Sequence, residues 1–208
     1  MEVHVMRLML VSIVMVVGAV YILADPPTKD DVVSELKKGG YILFLRHPLS
    51  NHDQADTDPL NLNNVKAQRH LTDAGRDQAK ALGEAFKKLK IPVGKVLASK
   101  FYRTLETAKL LDLAEVEAIV DITEGGLVVS PNENQRRAAA LRKLLGTVPM
   151  EGKNIIIISH KPNLQDAAGK EFGDLGEAEV VIFQPLGDSK FKFVARVASS
   201  AKWSEWAK

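Results

Sequence analysis

Tyr41-Ile42-Leu43-Phe44-Leu45-Arg46-His47-Pro48 is the stretch that decides the fold. Its five leading apolar residues, set between Gly39-Gly40 and a proline, read as a short strand buried on both faces. Strands of that kind belong to parallel sheets with helices packed on either side. Arg46 and His47 follow the run directly, at the strand's carboxyl end, where open α/β sheets place their ligands. A guanidinium beside an imidazole in such a crevice suits an anion.

Two more buried runs end in the same way. Val96-Leu97-Ala98 leads through Ser99 into a helical stretch that carries Arg103. Asn154-Ile155-Ile156-Ile157-Ile158-Ser159 is followed at once by His160. Three strands thus each deliver an arginine or a histidine. On these residues the chain resembles the histidine phosphatase (phosphoglycerate mutase-like) superfamily. The resemblance is carried by Arg46-His47, by Leu71-Thr72-Asp73-Ala74-Gly75-Arg76-Asp77-Gln78-Ala79, by Ser99 through Arg103 to Thr107-Ala108, and by Ser159-His160. It runs in order from about Tyr41 to the C-terminus. It implies a three-layer α/β/α sandwich around a mostly parallel sheet, in a small exported bacterial member of the family. One departure is plain: Pro48 stands where the pattern has glycine, so that position has no backbone donor and His47 is biased toward extended backbone.

Working outward, 208 residues with 46% apolar content suffice for the core of one domain. A net charge of +2, without basic blocks, favours neither nucleic acid nor an acidic surface as partner. Cysteine is absent, which excludes disulfides, thiol nucleophiles and cysteine-zinc sites. Leu8 to Ala24 is almost unbroken apolar sequence after Arg7 and before Asp25-Pro26-Pro27. Residues 1–24 therefore read as a signal peptide or a membrane anchor, with residues 25–208 as the working domain. That places the domain in the periplasm or outside the cell, with membrane association through residues 8–24 if the leader is retained.

Within the domain, Thr28 caps a helix closed by Gly39, and Thr72 caps another carrying Ala79, Leu82, Phe86 and Leu89. Ser99 is the expected N-cap of the helix with Leu105, Ala108 and Leu111, and Val116–Ile122 the expected next strand. Ser130-Pro131-Asn132-Glu133 reads as a capping box for a helix ending at Gly146. A short helix is expected from near Asn163, then a strand pair, 179–183 and 191–197, around Gly187-Asp188-Ser189. Trp203 and Trp206 read as a packing patch. Residues 51–70 form a long polar stretch without periodicity that leaves the Arg46-His47 crevice, the rim of a substrate site. Its His52, Asp53, Asp56 and Asp58 lack metal spacing and read as a solvated loop.

Two arginines and two histidines around one point make a phosphoryl trap. Hydrogen bonds to charged groups contribute about 1.5–3 kcal/mol each, and phosphoryl transfer needs mainly positioning and neutralised oxygens. Arg46, Arg103 and a protonated His160 supply both without a metal or cofactor, leaving His47 as the nucleophile. The resemblance implies the same division: a transient phosphohistidine on His47, with phosphate held by Arg46, Arg103 and His160. The family's general acid sits either on a glutamate-bearing loop in the middle of the chain or directly after the second histidine. Here Lys161 follows His160, which leaves the first option. Of Glu124, Glu133 and Glu177, Glu124 is favoured because it precedes the flexible Gly125-Gly126 turn. Glu133 is explained by its cap, and Glu177 lies outside the motif. The expected activity is phosphomonoester hydrolysis of a small phosphorylated substrate. A phosphate-binding module that turns over weakly and a phosphohistidine-protein phosphatase are the alternatives.

Overall fold

The computed structural model describes residues 28–208. The leader read at residues 1–24 lies outside the described residues. Among those described, no helix is long and apolar enough to cross a membrane.

The strand β1 spans Ile42–Arg46, and its alternate side chains enter two different cores. Leu43 and Leu45 pack with Val32 and Leu36 of α1 (Lys29–Lys38), Leu82 and Phe86 of α2 (Asp73–Lys88), and Ala108 and Leu111 of α3 (Tyr102–Leu111). Ile42 and Phe44 pack on the opposite face with Leu141 and Leu145 of α4 (Pro131–Leu145) and Leu164 of α5 (Lys161–Ala168). The period-two alternation of a strand thus serves both faces. The remaining strands are β2 (Val93–Ser99), β3 (Val116–Ile119), β4 (Asn154–Ser159), β5 (Val180–Gly187) and β6 (Lys190–Val197). They form one six-stranded sheet in the order β3-β2-β4-β1-β5-β6. Its first four strands are parallel, β5 pairs antiparallel with β1, and β6 pairs antiparallel with β5. A three-layer α/β/α sandwich follows.

Position in the sheet has a direct consequence for the site. β4 lies between β1 and β2, with Arg46 opposite Ser159 and Ala98 opposite Ile158. The carboxyl ends of the three strands that carry the motifs are therefore neighbours. At the far edge, Asp188 and Ser189 both take positive φ, 49° and 60°, as a tight two-residue hairpin requires. The C-terminal α6 (Ser200–Trp206) buries Trp203 edge-on against Phe86 at 4.7 Å and Trp206 at 5.1 Å, a packing patch as read.

Several boundaries differ from the sequence reading. β3 ends at Ile119 and gives way to a 3-10 turn over Val120–Ile122, because this edge strand is largely exposed and only its last residues turn inward. α3 starts at Tyr102 with Phe101 at its N-cap, so Ser99 is not the cap. α5 starts at Lys161, two residues earlier than expected, with Pro162 in its first turn. Ser130 caps α4 by accepting the Glu133 N–H at 3.2 Å, but the reciprocal half of the box is not formed. The Glu133 carboxylate is taken by Arg136 and Arg137, whose charged donors outbid a backbone N–H.

Candidate active site

His47 is 2% exposed and its backbone is held at both ends. Its N–H donates to the Ser159 carbonyl at 3.2 Å, and its carbonyl accepts the Ala178 N–H at 3.3 Å. The side chain is fixed too. Nδ1 lies 2.9 Å from the Pro48 carbonyl. A carbonyl only accepts, so the proton sits on Nδ1 and the Nε2 lone pair is left free. Pro48 thus withholds an N–H but supplies the oxygen that sets the tautomer.

The next residue is held by the motif around α2. The Leu49 carbonyl accepts the Thr72 N–H at 3.0 Å, and its N–H donates to Gln78 Oε1 at 3.1 Å. Thr72 caps α2 by accepting the Gly75 N–H at 3.0 Å. Gly75 itself presses on Leu49: a Cβ there would collide with the Leu49 carbonyl. Leu71, Thr72, Gly75 and Gln78 therefore act together as a clamp on the segment that follows His47.

On the other side stand Arg103 and His160, both essentially unexposed. Arg103 is the second residue of α3. Its Nη1 donates to both carboxylate oxygens of Asp56 at 3.1 Å, and its guanidinium lies 4.3 Å from the Phe101 ring centroid. Nη2 lies 3.4 Å from His160 Nδ1 and 3.4 Å from Glu124 Oε2. An arginine only donates, so His160 Nδ1 is the accepting nitrogen and Nε2 carries the proton, 2.8 Å from Ser99 Oγ. Ser99, freed from capping α3, instead orients the second histidine and accepts the Phe101 N–H at 3.2 Å. The two imidazoles meet edge to face at 5.2 Å. Arg46 is anchored by the Leu175 carbonyl, and its Nη2 lies 3.8 Å from Glu177 Oε1.

Burial is the first cause, and the Arg103 charge the second, that lowers the basicity of both imidazoles. His47 falls from its ordinary value to about 3. His160 also falls well below its ordinary value, so the free site holds it neutral. A protonated His160 therefore needs an anion beside it, since a full cation in this dry, arginine-rich spot is otherwise disfavoured.

The structure brings Arg46-His47, Arg103, His160 and Glu124 to one place. Glu133 faces its own helix, while Glu177 joins the rim, accepting from Ser50 Oγ at 3.0 Å and lying 3.4 Å from His52 Nε2. Asp56, read as a solvated loop residue, is the ion-pair partner of Arg103. Nothing in the sequence pointed to that pair, which joins positions 47 residues apart. Arg69 was also missed. It lines a cavity of about 210 Å³ together with Asp56, Phe101 and Glu124, of which Phe101 and Glu124 also flank His160. Larger cavities, of about 470 and 480 Å³, lie under Phe183, Phe191 and Phe193 and beside α4, away from the histidines. Among the described residues no cluster of three metal-ligating side chains occurs.

This geometry describes a class: an α/β protein with an arginine-histidine anion pocket at the carboxyl ends of three parallel strands. Residues 42–127 match the model of the histidine phosphatase superfamily (branch 1), the family that the motifs resemble. A 75-residue stretch is 39% identical to the mitochondrial serine/threonine-protein phosphatase Pgam5 of Drosophila grimshawi. That match spans 36% of this chain and 23% of the relative. The fold is shared with the protein histidine phosphatase SixA, solved with tungstate, at 19% identity and a TM-score of 0.51 over 77% of this chain and 97% of that one. It is also shared with a mycobacterial glucosyl-3-phosphoglycerate phosphatase, solved with inorganic phosphate, at 16% identity and a TM-score of 0.53 over 78% and 99%.

Proposed function

We propose that the protein is a phosphomonoesterase that works through a phosphohistidine on His47 and needs no metal. The observation that carries this reading is the state of His47: buried, neutral, with Nδ1 committed to Pro48 and Nε2 free beside His160. Nε2 attacks phosphorus, the P–O ester bond breaks, and the leaving oxygen takes a proton from Glu124. Water then attacks the phosphohistidine and gives a proton to the Glu124 carboxylate. The P–N bond breaks, releasing phosphate and neutral His47. Arg46 and Arg103 neutralise the equatorial oxygens, and His160 gains a reason to protonate once a dianion sits beside it.

A phosphorylated protein as substrate is a second reading. It is favoured by the match to a serine/threonine-protein phosphatase and by the exposed Val128 in the cavity lining, with the exposed Leu127 next to it in the chain. The leader reading makes the enzyme extracytoplasmic; recovery of the full chain from the cytosol with Met1 intact would contradict that part.

Hydrolysis of p-nitrophenyl phosphate in EDTA tests the main proposal. The wild type should release phosphate undiminished, and His47→Ala should not. An active His47→Ala protein, or activity lost in EDTA and restored by one divalent ion, would overturn it.

A further inference from the structure

We infer that Arg69 is a third phosphate-binding arginine, the cation this site leaves free for the incoming dianion. The inference rests on the phosphatase reading and deepens it by naming the charge state of the substrate. Each of the other two arginines already has acidic company. Arg103 is matched by Asp56 and Glu124, and Arg46 by Glu177. Among the described residues, Arg69 forms no ion pair with any carboxylate, and its buried Nε has no hydrogen-bond partner. A buried guanidinium N–H without an acceptor is costly unless something fills the position in the working state.

The position of Arg69 is fixed by its surroundings. Its backbone N–H donates to Asp56 Oδ1 at 2.9 Å, the same carboxylate that holds Arg103. The preceding Gln68 is 2% exposed, accepts the Tyr102 N–H at 2.7 Å and donates to the Leu62 carbonyl at 2.9 Å. The next anchor, Leu71, is buried and bridges to Ser50. Arg69 therefore stands on a pinned backbone and lines the cavity shared by Asp56, Phe101 and Glu124. Its charge reaches the whole site, since it opposes protonation of His47, His160, Arg46 and Arg103 alike. Three guanidinium groups, of which one is uncompensated, suit a phosphomonoester dianion better than a monoanionic phosphodiester. A planar fork also matches phosphate oxygens in a way that a lysine does not.

The test is equilibrium binding of inorganic phosphate to the wild type, Arg69→Met and Arg69→Lys, at pH 8 and pH 5.5, with thermal melts alongside. Arg69→Met should weaken binding by about 10- to 100-fold at pH 8, with a smaller loss in Arg69→Lys, which keeps the charge. At pH 5.5, where phosphate is a monoanion, the loss should shrink. A residue that only supports the loop would lower the melting temperature without this dependence on ligand charge. Wild-type affinity in both variants, beside a wild type that binds phosphate and hydrolyses monoesters, would overturn the inference alone. A wild type that binds no phosphate would overturn the inference together with the phosphatase reading.

Discussion

At the scale of single residues, the site turns on how two imidazoles are kept neutral. The unfolded chain titrates its histidines near 6.5, whereas folded His47 titrates at about 3 and His160 is displaced in the same direction. Between these limits the unfolded state binds more protons, so acidification favours it. The stability contributed by these groups is whole above about pH 6.5 and is lost as the pH falls toward 3. Thermal melts should therefore decline below pH 6.5. Replacing His47 by glutamine should flatten that slope by up to about 1.4 kcal/mol per pH unit; an unchanged slope would mean that His47 is not buried neutral. Glu124 carries a different expectation. General acids contribute about 10²- to 10⁴-fold, and most where the leaving group is poor. Glu124→Gln should slow hydrolysis of sugar or alkyl phosphates by about that factor and barely affect p-nitrophenyl phosphate. Equal effects on both substrates, or none on either, would remove Glu124 from the role. The sequence pointed to Glu124 through the Gly125-Gly126 turn and the exclusion of Lys161. Asp56 was illegible because its loop has no periodicity and its partner, Arg103, is distant in the chain.

At the scale of elements, the stretch from Leu71 to Gln78 does more than start a helix. It clamps Leu49, two residues after the nucleophile, through Thr72, Gly75 and Gln78. Gly75→Ala would drive a methyl group into the Leu49 carbonyl, an overpacking that typically costs about 1–3 kcal/mol. We expect denaturant melts to show a loss of that size, with turnover falling further than stability explains because Pro48 and His47 move with Leu49. A Gly75→Ala protein of parental stability and rate would show that the clamp is not needed. Elements whose residues alternate or recur on a buried face were legible: β1, β4, α2 and α4 are where the pattern put them. Two expected caps were missed where another partner outbid the nearby backbone N–H. Ser99 serves His160 rather than the end of α3, and Glu133 serves two arginines rather than its own cap. His160 lies 61 residues from Ser99, beyond any local window, whereas Arg136 and Arg137 stand three and four residues after Glu133 in its own helix.

At the scale of the whole molecule, the sheet order assembles the site. The chain leaves β1, builds β2 and β3 at a distance, and then lays β4 into the gap between β1 and β2. The sequence showed three strands each ending in an arginine or histidine, and the family motifs implied that they meet. The insertion of β4 is what makes them meet, because it sets Ser159 beside Arg46 and so brings His160 to 5.2 Å from His47. With β5 and β6 closing the other edge, the strand that carries the nucleophile lies inside the sheet, which suits a group that must not move during phosphoryl transfer. The central claim of this account is that the phosphoryl group passes through His47. The most direct measurement is rapid mixing with a phosphomonoester, a quench in alkali, where phosphohistidine survives, and mass spectrometry of the resulting peptides. The account predicts a phosphate mass on the peptide containing His47, appearing and decaying at rates consistent with turnover. Turnover with no phosphate on that peptide, or with phosphate on Ser50 instead, would contradict it.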